Sequence, residues 1–332
     1  MASVMRELLG KDPQIKVVGW AKNGEEAIRL RDALEPDVIT MDLNMPVLSG
    51  LQAIQTISST RPIPILVVSQ MTESEDSEIA FEALRSGAID VMGKPSGYGR
   101  EALKTKEALI SRIKAVAHVR PIRLMGRVSP KAPRSKTAKG ERGDGVVVIG
   151  ASTGGPPALA IVLRSLPREF ATPIAVVQHI APGFITGLAQ WLKRESPFPV
   201  KVATKGEPLV SGTIYLAPDN THLELGEGQK ILLNDSLPVR GHRPSVDWLM
   251  ESAARLYKRR AVGVLLTGMG SDGAEGLKKI REAGGKTIVQ DEATSLVFGM
   301  PREATLRGAA EVISPVERIA EEIVKVTTVQ ES

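Results

Sequence analysis

Residues 150–154 read Gly-Ala-Ser-Thr-Gly, directly after the apolar run Val146-Val147-Val148-Ile149, and Gly155, Pro156 and Pro157 come next. This is a G-x-S-x-G pattern between a predicted strand and a predicted helix. A short β-branched run reads as a buried strand, and proline at the first helical position opens a helix. A serine on such a tight turn has its hydroxyl lifted clear of the sheet, and the adjoining helix N-terminus offers N–H groups to an oxyanion. The same glycines could cradle a phosphate or simply let a helix pack on a strand. Neither nucleotide fingerprint is present, however: there is no G-x-G-x-x-G, and no Lys follows the glycines as a P-loop requires. Ser152 is the candidate nucleophile.

A serine nucleophile needs a base, and the chain has four histidines, His118, His179, His222 and His242. His179 closes the apolar run Ile174 to Gln178 and so reaches the sheet edge that carries Ser152, which places it first. His222 is expected in a loop entering a hairpin, and His242 in another loop. The third member should be a carboxylate at the same edge. Asp272 lies in Thr267-Gly268-Met269-Gly270-Ser271-Asp272-Gly273, a glycine-rich turn that follows the strand-like run Val262 to Leu266. Asp247, expected at the start of a helix, and Asp291 are its competitors. The order Ser, His, Asp differs from the Ser, acid, His order of α/β-hydrolases, although such a triad is defined by roles rather than order.

These residues must be held by elements that alternate. Over residues 144–332, strands are predicted at Val146–Ile149, Ile174–Val177, Ile214–Leu216, Val262–Leu266 and Thr287–Val289, with helices near Ala158–Leu163 and Val246–Tyr257. Glu224 to Leu233 contains Gly226-Glu227-Gly228 and reads as a hairpin. Residues 1–118 alternate likewise. Ile15–Gly19 reads as a strand, and Asn23 caps a helix with Glu26 completing a capping box. Strands at Val38–Met41, Ile63–Val68 and Ile89–Met92 follow, with helices between them and a last helix from about 101 to 117. The expected fold is α/β, with two doubly wound parallel-sheet domains, the second carrying a small antiparallel addition.

In the first domain Asp42, Ser69 and Lys94 each sit just past a strand, where open α/β sheets bind ligands. A carboxylate, a hydroxyl and an ammonium gathered there can accept and hold a phosphoryl group. Turn chemistry alone would also place an Asp and a Ser at strand ends.

Between the domains, residues 119–143 hold eight Arg and Lys among several prolines, with little apolar periodicity. This reads as a solvated linker. Aromatics make up 3% of the chain and none interleaves with the basic run, so the stacking platform of a single-strand nucleic-acid binder is missing despite the net charge of +5. The absence of cysteine excludes disulfides and thiolate chemistry. No apolar run approaches the roughly 20 residues that span a bilayer, and no signal-peptide layout is seen, so a cytoplasmic location without membrane insertion is expected.

Met41-Asp42-Leu43-Asn44-Met45-Pro46, Val68-Ser69 and Gly93-Lys94-Pro95 resemble the receiver domains of two-component response regulators over about residues 1–118. The resemblance implies a flavodoxin-like sheet, with Asp42 as phosphoacceptor and Ser69 and Lys94 as switch residues. The first receiver strand and its Mg²⁺-holding acidic pair are missing from the sequence. Mg²⁺ is therefore expected to support phosphorylation only in a chain that carries them.

Residues 144–332 resemble the catalytic domain of chemotaxis response-regulator protein-glutamate methylesterases. The motifs are Ile149 to Gly155, Gln178-His179 with Pro182-Gly183-Phe184, Ala217-Pro218, His242 to Asp247, and Thr267 to Gly273. That resemblance implies a Rossmann-like domain with Ser152, His179 and Asp272 as triad, Met269 as oxyanion donor and Thr153 hydrogen-bonded around His179. It implies demethylation of glutamate methyl esters and deamidation of glutamines on methyl-accepting chemoreceptors. It also implies phosphate supplied by a chemotaxis histidine kinase, and no metal or organic cofactor for the esterase. A phosphorylation-controlled binding module and a DNA-binding regulator are the other classes. The complete triad argues against the first, and the absence of a helix-turn-helix against the second.

Overall fold

The computed structural model describes residues 5, 6, 9–69, 74–94, 100–119 and 145–329. The expected linker thus lies almost wholly outside the described residues. The chain divides into two compact units, residues 1–129 and 130–332.

The first unit holds three parallel strands in the order β1 (Ile39–Met41), β2 (Ile65–Ser69), β3 (Asp90–Gly93). Helices Gly24–Leu34, Gly50–Thr60, Ser74–Arg85 and Arg100–Ala117 intervene or follow. Asn23 caps the first of them, accepting the Glu26 N–H at 2.9 Å. Glu26 reaches back one residue further than expected, to the Lys22 N–H. Ser49 and Gln52 form a full capping box on the next helix. Ile54, Ile57, Ile65, Leu66, Phe81 and Leu109 are completely buried and make the core.

The expected strand at Ile15–Gly19 does not form. In a flavodoxin-like order the second strand pairs only with the first. Among the described residues no strand lies beside 15–20, so the segment's backbone has no ladder to join, and Val18 and Trp20 stay exposed.

The second unit is a seven-stranded, all-parallel sheet in the order β12-β11-β10-β4-β5-β7-β6. The strands are β4 (Val146–Ala151), β5 (Ile174–Gln178), β6 (Val200–Val202), β7 (Ile214–Leu216), β10 (Ala261–Leu265), β11 (Lys286–Gln290) and β12 (Val312–Ser314). β8 (His222–Gly226) and β9 (Lys230–Asn234) form the antiparallel hairpin. His222 opens β8 and is fully buried, rather than lying in the loop before it. The chain leaves β4 toward β5 and β7, then returns on the other side of β4 through β10, β11 and β12. The switch point therefore falls between β4 and β10, and the crevice at the strand C-termini there is where such sheets hold ligands. No helix among the described residues is long and apolar enough to cross a membrane.

Side chains alternate across β4 and β5. Val146, Val148, Ala175 and Val177 join the core cluster that holds Val246, Leu249 and Met250 of the Val246–Tyr257 helix and Leu277 of the Ala274–Glu282 helix. Close packing at Gly150 sets how near the first of these helices comes to the sheet: a Cβ there would lie 2.2 Å from Val246 Cγ1. Val246 is β-branched and cannot rotate away cheaply. Gly150→Ala is expected to destabilise this unit by about 1–3 kcal/mol through overpacking. A urea unfolding midpoint equal to that of the parent protein would show that the helix start has slack.

Candidate active site

Ser152 follows β4, His179 follows β5, and Asp272 lies in the turn after β10, so three adjacent strands deliver them to the switch-point crevice. The edges are cross-tied: the Ser152 N–H donates to Thr267 O at 3.0 Å, and the His179 N–H to Ala151 O at 2.9 Å. Gln178, buried at the end of β5, donates its side-chain amide to Ser152 O at 2.7 Å and to His179 O at 3.0 Å. One amide thus fixes the spacing of candidate nucleophile and base. A Cβ on Gly268 would sit 2.7 Å from Ser152 Cβ, so only glycine lets the 267–273 turn approach the serine this closely.

His179 Nε2 and Asp272 Oδ2 are 2.9 Å apart. Burial works to raise the Asp272 pKa, but the hydrogen bond and charge of His179 and the N–H groups of Val246 and Asp247 outweigh it and hold the carboxyl well below the usual range. An ionised carboxylate only accepts, so the proton between the two sits on Nε2. In the neutral ring Nδ1 is then the lone-pair nitrogen, and it is buried with no hydrogen-bond partner. The geometry leaves a basic nitrogen uncommitted beside the serine turn.

Asp272 is held by more than the imidazole. Oδ1 accepts the Ser245 hydroxyl at 2.8 Å and the Asp247 N–H at 3.1 Å, and Oδ2 also accepts the Val246 N–H at 2.7 Å. These donors are the cap and first turn of the Val246–Tyr257 helix. Asp247, in that same first turn, accepts the N–H groups of Gly273 and Gly276 at 2.9 and 2.7 Å, at the start of the Ala274–Glu282 helix. Each acid therefore caps the helix that the other begins. Burial chiefly, with the Asp272 charge added, raises Asp247 to about 6 against its backbone hydrogen bonds and Arg240.

The remaining histidines separate clearly. His222 Nε2 donates to Leu237 O and Nδ1 accepts the Ser245 N–H, both at 3.2 Å, while the ring stacks on Trp248. With both nitrogens committed to backbone and its pKa lowered by burial, it positions Ser245. His242 is stacked on His179, with centroids 4.2 Å apart and planes 3° from parallel. Ligating atoms of His179, His242 and Asp272 fall within 4.8 Å of one another. A metal ion lies in the plane of each imidazole it binds, and two parallel planes share no such point, so this arrangement does not suit one.

Thr153 departs from expectation. Its backbone O accepts the Thr267 hydroxyl at 3.0 Å, and no hydrogen bond runs from its side chain to His179, whose Nδ1 is without one. Met269 follows Gly268 in the turn facing Ser152 and is partly exposed. Sequence reasoning passed over Gln178, Ser245 and Asp247 as supports, because their hydrogen bonds to Ser152, Asp272 and Gly273 span more than twenty residues and leave no local signature. Of the competitors for the acid, Asp247 faces the second helix, and Asp291 accepts from Thr294.

In the first unit, Lys94 Nζ donates to Asp42 Oδ2 at 2.5 Å and the Lys94 N–H to Ser69 O at 3.0 Å. The Ser69 hydroxyl is buried and unpartnered. Mg²⁺ takes an octahedron of oxygens. Among the described residues no cluster of three ligating side chains gathers at Asp42.

An Asp–Lys pair at strand ends in one unit, with a hydrogen-bonded His–Asp pair beside a serine turn in the other, defines a receiver-linked hydrolase. Two family models match, "Response regulator receiver domain" over residues 1–106 and "CheB methylesterase" over residues 147–323. The chain is 46% identical over 328 residues to protein-glutamate methylesterase/protein-glutamine glutaminase 2 of Anaeromyxobacter dehalogenans (strain 2CP-C), covering 96% of this chain and 92% of that protein. It is 43% identical over 333 residues to the corresponding protein 1 of Syntrophus aciditrophicus (strain SB), covering 97% and 95%. The crystal structure of the Thermotoga maritima CheB methylesterase catalytic domain superposes with a TM-score of 0.53 at 40% identity, covering 56% of this chain and 98% of that one. The chain belongs to the protein-glutamate methylesterase/protein-glutamine glutaminase family.

The crossed carboxylates give a stability test. Raised to about 6, Asp247 carries a cost of ionisation in the folded state that is fully present above that pH and is relieved as pH falls toward its unfolded value near 4. Asp247→Asn keeps an oxygen for Gly273 and Gly276 and removes the like charge. Its denaturation midpoint should gain on the parent's above pH 6, and the gap should close toward pH 4.5. Asp247→Ala leaves both N–H groups unpaired and should cost about 1–3 kcal/mol for each.

Proposed function

We propose that this enzyme hydrolyses glutamate methyl esters, and deamidates glutamines, on methyl-accepting chemoreceptors by a Ser152–His179–Asp272 mechanism. The uncommitted Nδ1 of His179 is the observation that carries this reading. Ser152 Oγ attacks the ester carbonyl carbon and its proton passes to Nδ1. The imidazolium is stabilised by the ionised Asp272 on the opposite nitrogen. Collapse of the tetrahedral intermediate expels methanol, which takes the proton from Nδ1. Water, deprotonated by the same nitrogen, then cleaves the glutamyl-serine ester to give the free carboxylate and restore Ser152. With glutamine the leaving group is ammonia. The Met269 backbone is assigned to the oxyanion, since Gly268 brings that turn against Ser152. None of these steps draws on a metal or organic cofactor.

Control is assigned to Asp42. A kinase-derived phosphoryl group on its carboxylate would break the Lys94 ion pair as it now stands and present oxygens to Lys94 and to the unpartnered Ser69 hydroxyl. The basic linker, outside the described residues, would connect this switch to the esterase. A cytoplasmic setting follows from receptor and kinase partners of this kind.

Two measurements test the proposal. Ser152→Ala, His179→Ala and Asp272→Asn should each lower methanol release from a methylated receptor by about 10⁴-fold in folded protein. Near-normal turnover of the serine variant would end the serine-hydrolase reading. In a chain extended by an upstream strand that ends in an acidic pair, a small acyl phosphate with Mg²⁺ should raise the rate, and Asp42→Ala should abolish that gain; equal stimulation of both would remove Asp42 from control.

A further inference from the structure

We infer that His242 is a positioning residue that sets the plane of the His179 ring and so aims Nδ1 at Ser152. The inference rests on the triad reading above and concerns a residue outside the triad.

Asp272 grips His179 at Nε2 alone. In an imidazole, Nε2 lies nearer the extension of the Cβ–Cγ bond than Nδ1 does, so rotation about χ2 displaces Nδ1 further than it displaces Nε2. That torsion is intrinsically broad. A hydrogen bond at Nε2 therefore holds the position of Nδ1 less tightly than that of Nε2 itself. Nδ1 cannot supply the missing restraint, because it has no hydrogen bond of its own. The His242 ring can: at 4.2 Å between centroids and 3° between planes, any rotation of His179 about χ2 drives a ring edge into the His242 face.

For this to work, His242 must itself be held, and the loop that carries it is tied down on both sides. Val239 and His242 exchange two backbone hydrogen bonds, at 3.0 and 2.9 Å, around Arg240 and Gly241. Both of those central residues have positive φ, 49° and 88°, which is the geometry of a tight two-residue hairpin turn. Three residues on, Ser245 donates its hydroxyl to Asp272 Oδ1 and its N–H to His222 Nδ1. Arg240 stands 3.6 Å from Asp247 Oδ2. The loop thus references both His242 and the acid to the same helix start. A shift of that helix would move the stack and the His179–Asp272 hydrogen bond together.

The test uses the full chain with three substitutions, His242→Ala, His242→Phe and His242→Gln, and methylated receptor as substrate. Loss of the ring face in His242→Ala should lower kcat by about 10- to 100-fold with KM changed less than about threefold, because misaimed reacting groups cost rate rather than binding. His242→Phe, which keeps a flat face, should recover most of that loss. His242→Gln, which keeps hydrogen-bonding groups but no face, should not. Nitrogen NMR of the His179 ring should show a single Nε2–H form with a narrow Nδ1 line in the parent and in His242→Phe, and a broadened line in His242→Ala. Recovery by Gln but not Phe, or parent-like kcat and Nδ1 signal in His242→Ala, would overturn the stacking role. Ser152→Ala run alongside separates the two readings: if it too retained activity, the failure would lie with the triad assignment on which the positioning role rests.

Discussion

Two helix N-termini meet behind the catalytic crevice, and two buried aspartates keep them together. A helix start carries about half a positive charge and several N–H groups with no partner within the helix. Asp272 satisfies the start of the Val246–Tyr257 helix, and Asp247 satisfies the start of the Ala274–Glu282 helix. Neither acid could be removed without orphaning donors that belong to the other's helix. Two like charges are nevertheless close, and the strain falls unequally. Asp272, with His179 as an added partner, is driven down, while Asp247, more poorly compensated, is driven up. The acid that holds His179 is the one kept ionised, and its neighbour carries the cost.

That arrangement makes the His179 tautomer a consequence of helix packing. The Asp272 carboxylate is already committed to three donors from the Ser245–Asp247 segment, which fixes its plane before the imidazole arrives. The only ring nitrogen that reaches it is Nε2. Nδ1 is thereby left without a partner, the reverse of the more familiar arrangement in which Nδ1 holds the acid. The chemistry requires only that one nitrogen hold the acid while the other is a free base.

Much of the fold was legible because strands that are buried on both faces announce themselves by composition. The runs at Ile214–Leu216, Ile174–Gln178 and Val146–Ala151 are nearly continuous β-branched or apolar residues, and the structure makes strands of all three. The Val246–Tyr257 helix was equally plain, with Ser245 as a local cap. The Ala274–Glu282 helix was not picked out. It opens on Gly273 with no side-chain cap of its own, since its cap comes from Asp247 more than twenty residues upstream. β6 and β12 are three-residue edge strands, too short for a period to show. Ile15–Gly19 was misread for the converse reason: its β-branched content is real, but a strand is a pairing, and composition cannot report the neighbour.

The order Ser, His, Asp along the chain follows from topology. In this sheet the crevice lies between β4 and β10, and β5 flanks β4 on the far side. A residue on the turn after β4 is centrally placed, and it comes first in sequence because β4 opens the unit. The strand laid down next, β5, supplies His179 from one side. The strand that restarts the sheet on the other side, β10, leads into the turn that carries Asp272 and cannot come earlier. The α/β-hydrolase order of Ser, acid, His belongs to a different sheet connectivity. Any doubly wound domain that seats its nucleophile on the first strand of the switch point, its base on the second and its acid on the returning strand must read Ser, His, acid. The chain order is thus a record of how the sheet was wound, and the shared chemistry lies in the 2.9 Å contact and the nitrogen left free opposite it.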